Sequence, residues 1–118
     1  MAQQARDLTR AGRPAEAALL WQRILAADRN HAEALLALAV QALARKDPTA
    51  ALGMLQHAAT TAPGDPMVQV YQALAFKELG QPNEEMAAVT RALTIDPYFY
   101  PALLHKGMLL ERLSSASV

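Results

Sequence analysis

Pro14, Pro48 and Pro82 stand 34 residues apart, and few features constrain a fold as tightly as a proline recurring at one fixed interval. Pro63 and Pro97 keep the same interval, as do Gly12 and Gly80, with Lys46 at the position between them. Small residues hold a common register at Ala5, Ala39, Ala73 and Gly107, and again at Ala58 and Ala92. Such a chain is an array of one structural unit, in which stacked neighbours bury a continuous core that no unit could bury alone.

Each period reads as two helices. Proline suits the first helical turn, where its missing N–H leaves no hydrogen bond unmade, so Pro14, Pro48 and Pro82 each open a helix. Pro63 and Pro97 fall where apolar periodicity lapses, in TAPGDP and TIDPYFYP, and there proline stops one helix before the next begins. Between these points apolar residues recur at three- and four-residue steps, as in Leu35, Leu38 and Ala42 and in Leu52, Leu55 and Ala59, the period of an amphipathic helix. No segment alternates as a strand. The spacing predicts an all-α chain of seven helices over about 2–12, 14–28, 32–45, 48–62, 66–79, 82–95 and 99–114. These form one domain, 1–118, with units at about 1–31, 32–65 and 66–99 and a partial unit at 100–113.

Composition narrows the function classes. Lys plus Arg and Asp plus Glu number 11 each, so no net field draws nucleic acid or an anionic membrane, and partners are expected to be recognised by shape and apolar contact. Cysteine is absent, which removes disulfides and thiolate metal sites. Met1 to Pro14 is polar and lacks the apolar core of a secretion signal, and a cytoplasmic location is expected. The most apolar run, Ala34 to Ala44, is broken by Gln41 and is far shorter than the roughly 20 residues needed to span a bilayer.

At this point the chain resembles the tetratricopeptide repeat (TPR) family, whose pattern runs W-x2-L-G-x2-Y, then A-x3-F, then P. The unit Ala32 to Asp65 answers it with Leu35, Leu38, Ala39, Ala42, Ala51, Leu55 and Pro63. The next unit keeps Ala73, Phe76, Gly80, Ala92 and Pro97; the first has Ala5, Leu8, Gly12, Ala17 and Trp21; the last has Leu103, Gly107 and Leu110. The resemblance implies a right-handed superhelical solenoid of antiparallel helix pairs. Two departures stand out. Glu85 occupies the register of Ala17 and Ala51, where a carboxylate must reach water or find a partner. Gln69 and Gln72 replace Leu35 and Leu38, so the third unit is expected to pack less tightly.

In that family the first helices of the pairs line a concave groove that takes peptides or helices. By register its lining here is Leu36, Val40, Leu43, Val70, Tyr71, Leu74, Lys77, Leu104, His105 and Met108. The lysine, asparagine and arginine pattern that clamps a terminal carboxylate is missing, so a carboxylate-clamp mode is not expected. The groove instead suits a protein or peptide with an apolar face, or is filled by a terminal segment or a neighbouring chain. Leu103, Leu104, Met108, Leu109 and Leu110 exceed what one neighbouring helix covers. A fragment of a longer protein and a homo-oligomer formed through the last helix both satisfy that excess. More locally, Ala92 to Leu113 resembles the TPR segment preceding the catalytic domain of bacterial aspartyl/asparaginyl β-hydroxylase-like proteins. This would make the chain the docking arm of an iron- and 2-oxoglutarate-dependent hydroxylase, with no catalytic residue of its own.

Residues of a chemically competent type find structural roles. His31 falls in a turn, His57 on an outward face and His105 on the concave face, so they do not converge, and no His-x3-His or Glu-x-x-His pair occurs; no metal or cofactor is expected. His105 reads as a solvated position or a ligand contact. Adjacent Glu84 and Glu85 point about 100° apart on a helix and make no acid/base pair. Ser114, Ser115 and Ser117 lie in the tail with no base nearby, and no glycine-rich phosphate loop is present. Trp21 shares a packing register with Leu55 and Val89. Tyr98, Phe99 and Tyr100 are expected to pack on the preceding helix rather than to stack on a ligand, with exposure open to Tyr100. The sequence therefore describes an interaction scaffold without catalysis of its own.

Overall fold

The computed structural model describes residues 1–116. Seven helices follow in order: α1 (Ala2–Arg10), α2 (Pro14–Ala27), α3 (Ala32–Ala44), α4 (Pro48–Thr61), α5 (Pro66–Glu78), α6 (Pro82–Ile95) and α7 (Tyr100–Ala116). They form antiparallel pairs, α1 with α2, α3 with α4 and α5 with α6, and α7 packs on α6. No strand occurs among the described residues, and no helix there is long and apolar enough to cross a membrane. The stack measures 49 × 26 × 23 Å, and its 14.9 Å radius of gyration exceeds the roughly 13.5 Å of a compact chain of this length.

Local rules set the period. The turn inside each pair is a Schellman motif. After α1, Gly12 N–H donates to the Thr9 carbonyl and Arg13 N–H to the Leu8 carbonyl; Lys46 with Asp47 and Gly80 with Gln81 repeat this after α3 and α5. The left-handed residue has φ 76° at Gly12, 63° at Lys46 and 70° at Gly80. That motif ends α1 at Arg10, before the predicted stop near residue 12, because Gly12 is already past the helix. The proline two residues on restarts the chain as a helix, and Asp47 Oδ1 accepts from Ala50 N–H at 3.3 Å to cap α4. Between pairs, His31 Nδ1 caps α3 through Ala34 N–H at 3.1 Å, and Asp65 Oδ1 caps α5 through Met67 N–H at 2.9 Å. Helices of 13 and 14 residues joined by turns of three and four fill the repeat.

The core is largely alanine, which lets helix axes approach closely. Ala5, Ala17, Trp21, Ile24, Ala34 and Leu38 form the first cluster; Leu35, Ala39, Ala42, Ala51, Leu55, Ala58 and Val68 form the second. Trp21, Leu55 and Val89 are buried at one register, as their spacing predicts. Phe99 packs beside Ala92 and Ala102, whereas Tyr98 and Tyr100 are both exposed, because only the middle residue of that trio faces α6. In place of the looser packing expected at Gln69 and Gln72, both amides are buried and their Oε1 atoms accept from Arg91, at 2.8 Å from Nε and 3.1 Å from Nη2.

Candidate functional site

A groove of about 300 Å³ opens between α5 and α7. On α5, Met67, Val70, Tyr71, Leu74 and Lys77 follow one another at helical steps and so share a side; Pro101, Leu104, His105, Met108 and Arg112 do the same on α7. Val70 is buried at the floor, Leu74 and Tyr71 are half-buried in one wall, and Leu104 and Met108 stand half-exposed in the other. Its charged lining residues, Lys77, His105 and Arg112, are all basic types, and Lys77 makes no ion pair among the described residues.

Seven of the ten residues nominated from the sequence therefore line one groove: Val70, Tyr71, Leu74, Lys77, Leu104, His105 and Met108. Leu36, Val40 and Leu43 lie apart from it on α3, half-buried, with Leu36 and Leu43 packed against the α3/α4 core. Met67, Pro101 and Arg112 were not singled out. Each lies three or four residues along the helix from a nominated neighbour, and that phase was the available signal.

His105 is more than a groove wall. Glu85, only 1% exposed, accepts a hydrogen bond from His105 Nε2 at 2.6 Å and another from Arg112 Nη2. The carboxylate that displaces the alanine of earlier repeats is thus held between two donors from α7, which joins α6 to α7 across the groove's inner edge. The reading of His105 as a solvated position is corrected: its side chain is 11% exposed. Glu84 stays exposed in the first turn of α6, where its charge favours the helix N-terminus.

The other chemically competent groups remain dispersed. His31 caps α3, and His57 Nε2 lies 2.8 Å from Asn30 Oδ1 on an exposed surface. Among the described residues no group of three or more His, Cys, Asp or Glu side chains is placed to hold a metal ion. Ser114 and Ser115 continue α7 rather than forming a tail, and Ser117 lies outside the described residues.

No protein-family model and no curated protein matches the chain. Solved structures do. MamA (residues 41 to the end) from Desulfovibrio magneticus RS-1 superposes with TM-score 0.84 at 23% identity, covering 96% of this chain and 64% of that one. The translocator chaperone SycD of Yersinia enterocolitica type III secretion gives TM-score 0.87 at 14% identity, covering 99% of this chain and 83% of that one. PcrH, solved in complex with the chaperone-binding region of PopD, gives 0.82 at 17%, covering 98% and 90%. The chain spans under two-thirds of the MamA structure it matches. At such identities the likeness is one of fold, and the fold is that of TPR-type helical repeats.

Proposed function

We propose that this chain is a non-catalytic protein-interaction scaffold that takes an amphipathic helix or an extended apolar peptide in the α5/α7 groove. The observation that carries the reading is the groove itself: an apolar trough between two parallel-facing helices, walled by Leu74, Tyr71, Leu104 and Met108 and edged by basic side chains. Helix-in-groove recognition needs that combination of an apolar floor and a polar rim. The PcrH structure, of similar fold, holds a segment of its partner, which supports a peptide ligand here. The repeat units at about 1–31, 32–65 and 66–99 supply the frame, and the absence of cysteine supports a cytoplasmic setting.

The test is a peptide-display selection on the immobilised chain followed by calorimetric titration of the selected sequence. Leu104→Glu with Met108→Glu exchanges two half-exposed apolar contacts for two charges. Lost burial of about 1 kcal/mol each, plus desolvation of the carboxylates, predicts at least a roughly thirty-fold weaker affinity with helix content unchanged by circular dichroism. Equal affinity for both proteins refutes the groove assignment.

A further inference from the structure

A buried carboxylate costs stability even when it is paired, and a well-packed apolar residue in its place often serves the fold as well. The stack holds its own control for Glu85. At the same register one and two repeats earlier stand Ala51 and Ala17, and the positions equivalent to His105 and Arg112 carry Tyr71 and Glu78, then Ala37 and Ala44. Both alanines are fully buried, and α5 and α3 dock beside them through apolar contact. Glu78 turns instead toward Lys46, 3.8 Å away, with its side chain 41% exposed. Docking the next helix therefore needs no carboxylate at this place. Glu85, His105 and Arg112 enter the sequence together, at one interface.

That interface adjoins the groove. His105 and Arg112 line it, whereas Glu85, 1% exposed, lies behind the wall they form. A single oxygen, Glu85 Oε2, accepts from both His105 Nε2 and Arg112 Nη2, so two side chains two turns apart on α7 are tied to one fixed point on α6. Arg112 is 44% exposed, and an untethered guanidinium at such a position samples many rotamers. Held by Nη2, it makes no other hydrogen bond among the described residues, so its Nε and Nη1 hydrogens stay free beside Lys77 and Met108, where a second recess continues the groove. Taking the groove as the peptide site proposed above, we infer that Glu85 is a positioning residue for ligand binding. From behind the groove it holds His105 and Arg112 in the arrangement a ligand meets, so their ordering precedes association and is not charged against affinity. Arginine only donates, so the ligand group read there is an acceptor, a carboxylate or a peptide carbonyl.

The experiment has two arms on the full chain. In the free protein, nitrogen relaxation of the Arg112 Nε–H and the imidazole N–H resonance of His105 report the positioning directly. Glu85→Ala should increase motion at the first and abolish the second. The isosteric Glu85→Gln, which guards against a loss of folding, should move both signals the same way by less. No change in either variant overturns the inference. In the second arm the display-selected peptide is titrated by calorimetry. Glu85→Ala should weaken it roughly five-fold, the effect of leaving one long side chain to be ordered on binding. In a protein that already carries His105→Ala and Arg112→Ala, the same substitution should change affinity less than about two-fold. It should raise stability in that background, so a residue acting only on the fold would raise affinity with it. An equal change in both backgrounds therefore overturns the inference. Wild-type affinity in Glu85→Ala, beside weakened binding in Leu104→Glu with Met108→Glu, removes this inference and keeps the groove; wild-type affinity in the latter protein removes both.

Discussion

Glu85 offers the sharpest test of how the stack is held together. Its carboxylate is 1% exposed and bonded to His105 and Arg112. Replacing both donors with alanine leaves a buried charge without partners, a change that costs about 3–5 kcal/mol. Arg112 is 44% exposed, so most of that loss follows from His105 and from stranding the carboxylate, not from Arg112's own Coulomb attraction. For a chain of this length each kcal/mol moves the melting temperature by about 4 °C, so the double variant should melt about 12–20 °C lower. Adding Glu85→Ala then removes the stranded group and installs the residue found at this register in Ala17 and Ala51. The triple variant should regain roughly 2 kcal/mol, or about 8 °C, relative to the double. Thermal and urea melts followed by circular dichroism read both steps. If the third substitution lowers stability further, the carboxylate contributes something other than a partnered buried charge, and the reasoning fails.

Lys46 adopts φ 63° where Gly12 and Gly80 occupy the same turn. Lys46→Gly should stabilise by about 0.5–1 kcal/mol, and Gly80→Ala should destabilise by about 1 kcal/mol; equal melting temperatures for wild type and Lys46→Gly would contradict the strain. Gly107 lies in a helix interior with open space around its Cα, so Gly107→Ala should raise stability by about 0.5–1 kcal/mol in a urea melt. A fall instead would mean that the backbone there needs glycine.

Much of the fold was legible because its signals are local. A proline at the first turn of α2, α4 and α6 is decided by its own missing N–H, and the glycine register is decided by the sign of one dihedral angle. The groove was legible in part, since helical phase alone gathers Leu74 with Val70 and Leu104 with Met108. Leu36, Val40 and Leu43 followed the same phase onto α3, but the cleft is lined by α5 and α7, and where a cleft opens is a property of stacking and not of any one helix. The role of His105 was hidden for a related reason. It lies three residues after buried Ala102 and four before buried Leu109, on the border between two faces of α7. Only the position of Glu85, twenty residues earlier on another helix, decides which side it serves.

The three-residue turn inside each helical pair is the hinge that sets the angle between its two helices. One residue inserted between Arg45 and Asp47 would break the turn in which Lys46 N–H donates to the Leu43 carbonyl and Asp47 N–H to the Ala42 carbonyl, and with it the angle at which α4 leaves α3 to lay Ala51 and Leu55 on the core. Substitutions in those turns cost a fraction of the total stability. A change in their length removes the hydrogen-bonded stop itself, and so acts on how two helices pair without touching a single residue that lines the groove.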